Sequence, residues 1–357
     1  MTTISSPYCT RYIFLPISLT PPNAAITSRF SSFCFILNPP NHHLHICYVF
    51  LNDIFSFGLI GGRDISSRLK TDINQCASNR LKIDSNLKGG IVMSSSSAGT
   101  ATDINWTEAL FWCNMVNWAY EMYDACPSNL TPKPPADFPV DWEIESLLIV
   151  HPVVVFFTET KFIGYIARSK TDPTLVAIIF RGTKTELEWV LDAEFGLVNF
   201  CEVPNAGETE VGFTECYRSL YGTNTDGSNE TPFADVLAQL TSSGARVTIA
   251  GHSLGGALAI LAGICSANST QTEVFTYAAP MAGDSAFSAA YCQSVSANYR
   301  VYNEPDIVPK LPGELFGFVQ EGPGTPLNSL DYPTIGHSLK DYHSISTYLY
   351  MLEHPIS

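Results

Sequence analysis

The hydrophobic and polar positions of this chain predict strands that alternate with helices from residue 105 onward. Apolar side chains recur at helical spacing over residues 105–123, which predicts a helix. Short apolar runs over 175–180, 245–250 and 274–278 predict strands, and the continuous run at 175–180 predicts a strand that is buried on both faces. The pattern therefore favours an α/β fold, with a mostly parallel central sheet and helices on both faces.

Further segments extend this sheet at its two ends. Two β-rich runs, 153–157 and 162–167, are separated by a short polar stretch and predict an antiparallel hairpin at one edge. Residues 299–302 and 315–319 predict short strands, and 345–352 predicts a closing helix. We therefore expect antiparallel strands beside the parallel part of the sheet.

Charge divides the chain into two unequal parts. The N-terminal extension (residues 1–92) holds eight Lys/Arg and four Asp/Glu, whereas residues 93–357 hold 11 basic and 30 acidic residues, a net charge of −19. The second part has the length of one α/β domain. Its acidity argues against nucleic acid and against strongly anionic membrane surfaces as partners, because like charges repel.

The N-terminal extension shows no sustained periodicity. Residues 1–52 contain no acidic residue, as in a weak transit peptide, but Pro16 interrupts the apolar run that a signal peptide would need. The most apolar stretch, 44–60, is broken by polar residues, so we expect no transmembrane segment. We predict a poorly ordered extension, a transit-like segment, or translated sequence upstream of a start at Met93. A start at Met93 favours the cytoplasm, with a plastid-targeted or secreted protein as the alternatives.

The strongest chemical signal is the stretch Gly251–Gly255, a G-x-S-x-G match. The match alone is weak, but it lies between the strand predicted at 245–250 and an Ala/Leu/Ile-rich helix predicted from Leu254. Strand, sharp turn and helix form the context of a nucleophile elbow, so Ser253 is the candidate nucleophile. The alternative is a glycine-rich turn in which the serine has no role.

A serine nucleophile needs a histidine base and a carboxylate that orients the imidazole. In an α/β-hydrolase the acid and then the histidine follow the serine along the chain. The candidates after Ser253 are Asp284, Asp306, Asp331, Asp341, His337, His343 and His354. Asp306 follows a predicted strand in a loop rich in proline, which suits a fixed carboxylate. Asp284 and His337 remain the reserve candidates.

Five segments in order resemble the class 3 (fungal-type) triacylglycerol lipase family. They are Phe180–Thr183, Val211–Phe213, Gly251–Gly256, Thr276–Asp284 and Arg300–Pro312. The resemblance covers residues 106–352 and implies the α/β-hydrolase fold. It implies that Asp306 is the triad acid and that His343, which precedes a serine and a later tyrosine, is the base.

An acyl-transfer site also needs N–H donors for the oxyanion of the tetrahedral intermediate. The residue after the nucleophile, Leu254, supplies one donor in an elbow. The resemblance implies that the second donor is Thr183, and that a lid follows it. Residues 186–198 mix apolar and acidic side chains, so they form an amphipathic segment that suits a lid, with a fixed surface helix as the alternative.

Together these features predict a serine esterase or lipase that hydrolyses neutral acylglycerols through Ser253, Asp306 and His343. The alternatives are a feruloyl-type or other soluble-ester esterase, and a catalytically silent lipase-like binding protein. The cysteine spacings match no zinc pattern, and we expect neither a metal nor a cofactor. The expected partners are a lipid or small ester substrate and a transient contact with a neutral lipid interface, with no nucleic acid.

Overall fold

The computed structural model describes residues 104–153, 156–183, 195–267 and 269–356, together with two short N-terminal strands. The chain divides into two units, Met1–Val92 and Met93–Ser357. In the first unit, β1 (Ile36–Leu37) pairs antiparallel with β2 (Leu44–His45). The rest of the predicted N-terminal extension lies outside the described residues. The second unit contains all the elements that follow.

The strands of the second unit are β3 (Trp142–Val150), β4 (Lys161–Ser169), β5 (Leu175–Phe180), β6 (Leu197–Asn199), β7 (Glu208–Glu210), β8 (Leu220–Thr223), β9 (Thr231–Pro232), β10 (Arg246–His252), β11 (Thr272–Tyr277), β12 (Gly283–Asp284), β13 (Ala297–Asn303), β14 (Phe318–Val319) and β15 (Gly324–Leu327). The helices are α1 (Trp106–Ala125), α2 (Val211–Arg218), α3 (Phe233–Ser242), α4 (Leu254–Ala267), α5 (Ser285–Ser294), α6 (Leu339–His343) and α7 (Ile345–Glu353). Short 3₁₀ turns occur at Val308–Lys310, Glu314–Phe316 and Ser329–Asp331.

The described strands form one large mixed sheet and one small sheet. The large sheet has nine strands in the order β15-β13-β11-β10-β5-β4-β3-β8-β9. The pairs from β15 to β5 are parallel, and the pairs from β5 to β9 are antiparallel. The small sheet is antiparallel, in the order β14-β12-β7-β6. The predicted α/β fold, with antiparallel strands at one edge, is confirmed.

Helices cover both faces of the large sheet because the apolar residues of its central strands alternate between two cores. In β5, Val176 and Ile178 belong to a core with α2, α3, α4 and α5. Ala177 and Ile179 belong to a second core with α1 and α7. Strand β10 lies between β5 and β11 and is buried from Val247 onward, so its carboxyl end is held from every side.

Two predicted strands are wrong in detail. The hairpin arm predicted at 153–157 does not pair with β4; instead, Val153 and Phe157 pair with each other in an isolated antiparallel bridge. Strand β4 forms its hairpin with β3 instead, which begins at Trp142. Acidic residues interrupt the apolar pattern of β3, so the sequence did not predict it. Residues 315–319 divide into a 3₁₀ turn and β14, which joins the small sheet rather than the large one.

Two further features of the described residues bear on the sequence predictions. No helix among them is long and apolar enough to cross a membrane. The six cysteines that they include are free thiols: Cys113, Cys126, Cys201, Cys216, Cys265 and Cys292.

Candidate active site

A sharp turn between β10 and α4 carries the candidate nucleophile. Strand β10 ends at His252, α4 begins at Leu254, and Ser253 between them has a φ of 56°. A positive φ is uncommon for a residue other than glycine and marks a backbone that its surroundings hold in place. The Ser253 N–H donates to the carbonyl oxygen of Tyr277 at 2.9 Å, which fixes the turn against β11.

The glycines beside the serine are required by contact with neighbouring backbone. A Cβ atom on Gly251 would lie 2.0 Å from the Gly255 carbonyl oxygen. A Cβ atom on Gly255 would lie 2.5 Å from the carbonyl oxygen of Phe180. Only glycine lets α4 approach the sheet this closely, which explains the G-x-S-x-G pattern sterically.

Hydrogen bonds join three of the predicted site residues into a chain. His343 Nε2 lies 2.8 Å from Ser253 Oγ, and His343 Nδ1 lies 2.8 Å from Asp306 Oδ2. Each of the three residues is at most 1% exposed. Because a carboxylate only accepts, Nδ1 donates to Asp306, and Nε2 of the neutral imidazole accepts from the serine hydroxyl. This is the tautomer that a serine nucleophile requires.

Both carboxylate oxygens of Asp306 accept further hydrogen bonds. Its Oδ1 accepts the N–H of Val308 at 3.0 Å, and its Oδ2 accepts the hydroxyl of Tyr348 at 2.9 Å. The Tyr348 oxygen in turn accepts the N–H of Asn303 at 2.9 Å. Burial, followed by the neighbouring Asp306 charge, raises the pKa of Tyr348 well above its usual value. Tyr348 therefore stays protonated and donates to the carboxylate.

The two predicted oxyanion donors lie at the ends of adjacent strands. Leu254 opens α4, where backbone N–H groups of the first turn have no partner within the helix. Thr183 follows β5, next to β10 in the sheet, and is 5% exposed. The loop before it contains Arg181, a charged side chain that is only 1% exposed. The predicted lid at 186–198 lies for the most part outside the described residues, and its last two residues belong to β6 (Leu197–Asn199).

The reserve candidates lie elsewhere. The Asp284 carboxylate caps α5 by accepting the N–H of Phe287 at 2.8 Å. His337 is exposed and contacts the Tyr342 hydroxyl at 3.3 Å. Of the remaining late acids and histidine, Asp331 and His354 are also exposed, and Asp341 is half-buried. Within the described part of the chain, none of these side chains is hydrogen-bonded to Ser253, unlike His343.

Sequence reasoning missed several polar residues around the site. Tyr120 of α1 contacts His252 Nδ1 at 2.9 Å, and His252 Nε2 contacts the carbonyl oxygen of His343 at 2.8 Å. Tyr120 lies in a stretch whose helical spacing indicated only a packed core. No local signal in the sequence points to its hydroxyl, because its partners are distant along the chain.

With this geometry established, comparison with known proteins is informative. Residues 177–316 match the family Lipase (class 3). The lipase of Rhizomucor miehei is 35% identical over 170 residues, which is 44% of this chain and 42% of that protein. Secreted mono- and diacylglycerol lipase 1 of Fusarium solani is 27% identical over 184 residues, 51% of this chain and 52% of that protein. Residues 177–316 of this chain are thus similar to the class 3 lipase family.

Other proteins that resemble this chain carry different names. Phospholipase A1-IIgamma of Arabidopsis thaliana is 27% identical over 223 residues, 54% of this chain and 53% of that protein. The solved lipase of Rhizopus microsporus var. chinensis is 24% identical with a TM-score of 0.49, over 64% of this chain and 76% of that one. Alignment with the curated relatives named above spans about two fifths to half of their length.

One departure from the class 3 lipase pattern has a local structural explanation. Glu210 stands two residues before Gly212, where the family often has histidine. Its carboxylate accepts the N–H of Phe213 at 2.7 Å and thereby caps α2. Burial raises its pKa, although backbone N–H groups oppose that shift. Glu210 therefore serves as a helix cap here.

Proposed function

We propose that this chain is a class 3 lipase that hydrolyses carboxylic esters, with Ser253 as nucleophile, His343 as general base and Asp306 as the acid that orients His343. The observation that supports the proposal most directly is the buried hydrogen-bond chain from Ser253 Oγ through both nitrogens of His343 to Asp306. The positive φ of Ser253 at the end of a central strand adds to it, because that turn presents the hydroxyl at the edge of the sheet.

The first half of the reaction forms an acyl-enzyme. Ser253 Oγ attacks the ester carbonyl carbon while His343 Nε2 takes the hydroxyl proton. The tetrahedral intermediate carries a negative oxygen, which the N–H groups of Leu254 and Thr183 stabilise. When the intermediate collapses, its bond to the alcohol oxygen breaks, and His343 returns the proton to the leaving alcohol.

The second half releases the acid. Water takes the place of the alcohol, His343 Nε2 accepts a proton from it, and the resulting hydroxide attacks the acyl carbon. The bond to Ser253 Oγ then breaks, and the serine regains its proton from His343. Throughout, Asp306 accepts the hydrogen bond from His343 Nδ1 and stabilises the imidazolium that forms twice in each cycle.

We further propose that the preferred substrates are neutral acylglycerols. Relatives of this chain are named for neutral glycerides and for phospholipids, so the family alone leaves both open. The net charge of −19 on residues 93–357 favours a neutral surface, because an anionic one repels the approaching protein. The amphipathic segment 186–198 supplies apolar side chains that can contact a lipid interface, which favours lipid substrates over soluble esters.

Fluorophosphonate labelling tests the nucleophile. The wild type should be labelled and should hydrolyse a short-chain ester, and Ser253→Ala should lose both activities by several orders of magnitude. Ser266→Ala is the matched control, since Ser266 is fully buried on α4 and its hydroxyl bonds Gly263 and Thr272, away from His343. Undiminished labelling of Ser253→Ala would reject the assignment.

Vesicle composition tests the substrate. Hydrolysis of mono- or diacylglycerol should be faster than hydrolysis of phosphatidylglycerol, and the difference should narrow as salt rises, because salt screens the repulsion. A preference for phosphatidylglycerol at low salt contradicts the proposal. Equal rates on a soluble ester and on a neutral emulsion favour the soluble-ester alternative.

We also propose that residues 93–357 are sufficient for catalysis. They contain every residue of the proposed mechanism and carry a charge balance opposite to that of residues 1–92. A chain that begins at Met93 should therefore match the full chain in kcat and thermal stability. Loss of either property would show that the N-terminal extension contributes to the fold.

A further inference from the structure

The backbone of Gly182, directly before the proposed oxyanion donor Thr183, is held from both sides. Its N–H donates to the hydroxyl oxygen of Tyr120 at 2.8 Å. Its carbonyl oxygen accepts from Arg181 Nη1 at 2.6 Å. We name the side chains of Tyr120 and Arg181 the Gly182 clamp.

The guanidinium of Arg181 is itself fixed. Its Nε and Nη2 both donate to the carbonyl oxygen of Phe162 on β4. Its central carbon lies 3.6 Å from the centre of the Tyr123 ring, a cation–π contact with α1. A planar fork held at three points has little freedom, so Nη1 is a fixed donor rather than a mobile one.

Fixing the carbonyl of Gly182 also fixes the N–H of Thr183. These two groups belong to one peptide unit, which is planar, and in the usual trans form its C=O and N–H point in opposite directions. An Arg181 hydrogen bond to the oxygen therefore sets the direction of the Thr183 N–H. Tyr120 fixes the preceding peptide unit in the same way, through the N–H of Gly182.

The Tyr120 hydroxyl connects this loop to the nucleophile and the base. It lies 2.9 Å from His252 Nδ1, and His252 Nε2 lies 2.8 Å from the carbonyl oxygen of His343. A carbonyl only accepts, so Nε2 carries a proton, and Nδ1 of the neutral ring accepts from the tyrosine. The tyrosine oxygen then accepts from Gly182. One buried path thus joins the oxyanion loop, the residue before Ser253 and the backbone of His343.

We propose that Tyr120 and Arg181 are positioning residues, which orient the Gly182–Thr183 peptide so that its N–H stabilises the oxyanion. The proposal rests on the proposed ester hydrolysis and adds two residues to it. Neither residue touches the substrate. Their effect reaches the reaction through the direction of one N–H group, so their loss should lower kcat and leave KM nearly unchanged.

Comparison of an ester with its thionoester tests this role. The thionoester carries C=S in place of C=O, so its tetrahedral intermediate puts the charge on sulfur, a weaker hydrogen-bond acceptor. Hydrolysis of the ester therefore depends more strongly on the oxyanion donors. Tyr120→Phe should lower the ratio of the two kcat/KM values, ester over thionoester, by about 10-fold, less than complete loss of a donor would cost.

A second variant and a control make the measurement specific. Arg181→Lys keeps the positive charge but loses the planar guanidinium, so it should also lower the ratio of ester to thionoester kcat/KM. The ratio does not depend on the folded fraction, because both substrates report on the same folded enzyme. Tyr165→Phe is the matched control, since Tyr165 is also buried and its hydroxyl donates to the Met115 carbonyl of α1, but it has no path to Gly182 through the contacts described. Its ratio should equal that of the wild type.

Each outcome decides the proposal. A lower ratio in Tyr120→Phe and Arg181→Lys, with an unchanged ratio in Tyr165→Phe, supports the Gly182 clamp. Equal loss on both substrates overturns it, because the two residues would then act only on general packing or on Ser253. If the wild type hydrolyses neither substrate and resists fluorophosphonate, ester hydrolysis itself fails, and the Gly182 clamp is rejected with it.

Discussion

Two regions of the molecule bury a carboxylate to the same extent and surround it differently. Asp306, after β13, and Glu321, after β14, are each 1% exposed. Asp306 accepts from an imidazole, a tyrosine hydroxyl and a backbone N–H, which serve both of its oxygens. Glu321 accepts the N–H groups of Ala282 and Gly283 on Oε1 only. Its Oε2 has no hydrogen-bond partner among the described residues.

The difference shows that hydrogen-bond donors, rather than burial alone, decide what a buried carboxylate can do. Burial raises the pKa of Glu321 to about 8, and the two N–H groups and Arg300 only partly oppose that shift. Burial also lowers the pKa of Arg300 from its usual value. Glu321 is therefore mostly protonated at neutral pH. At Asp306, three donors replace the water that a charged carboxylate loses on burial.

The largest expected effect comes from removing the charge of Asp306. Asp306→Asn should lower kcat by about 10⁴-fold, because the imidazole loses the partner that fixes its tautomer. Circular dichroism and thermal denaturation should show an intact fold. Glu321→Gln, the equivalent change at the other buried carboxylate, should leave kcat at pH 7 within about twofold of the wild type, since Glu321 is already neutral there. Full activity in Asp306→Asn would return Asp284 to consideration.

The combined effect of substitutions at Asp306 and His343 tests whether the two residues act together. If Asp306 acts only through His343, then adding Asp306→Asn to His343→Ala should cost little further activity, because the members of a triad act as a unit. Kinetics of the two single variants and the double variant measure this coupling. Losses that multiply would mean that Asp306 acts independently of the histidine.

The parts of this site that could be predicted are those whose residues are consecutive in the sequence. The elbow is encoded within one stretch, because the strand, the close-approach glycines and the buried helix around Ser253 are consecutive in the sequence. The prolines around Asp306 also lie together. By contrast, the predicted arm at 153–157 failed, because an apolar run can form a turn as well as a strand. Helices α2, α3 and α5 were not predicted.

Contacts between distant segments explain what sequence reasoning missed. Tyr120 meets Gly182 and His252 only after α1 packs on the sheet, and those partners are 62 and 132 residues away. Glu321 meets Ala282 and Gly283 across the interval between β12 and β14. A buried polar residue resembles a surface one in the sequence, since burial is decided by the packing of other elements.

The next largest expected effect is a contribution of Glu321 to the pH dependence of stability. The pKa of Glu321 is about 8 in the folded protein against an ordinary value of 4.5, so the folded state binds more protons between these values. Stability should therefore fall as pH rises from about 4.5 to 8, by up to about 1.4 kcal/mol per pH unit from this group. Glu321→Gln cannot ionise and should lack this contribution.

Denaturant unfolding of the wild type and Glu321→Gln at pH 5 and pH 9 measures the contribution. The stability of the variant relative to the wild type should rise by a few kcal/mol between these two values, because Glu321 must ionise in a buried site at high pH. Other titrating groups are shared by both proteins and cancel in the difference. A difference that stays constant with pH would show that Glu321 is charged throughout.

The smallest effect expected concerns a donor to Asp306. Tyr348→Phe removes the hydroxyl that donates to Oδ2 and leaves the N–H of Asn303 unpaired, which should cost about 1–2 kcal/mol of stability. It should also lower kcat, by about 10-fold, because the carboxylate loses one of three donors while His343 remains bound. Tyr291→Phe is the control, since Tyr291 is also buried and its hydroxyl bonds Asn298, away from Asp306. It should lose comparable stability, as judged by thermal denaturation, and keep the wild-type kcat. Equal kcat values in the two variants would mean that the imidazole and the backbone N–H are enough to hold Asp306 for catalysis. The Tyr348 hydroxyl would then contribute to stability only.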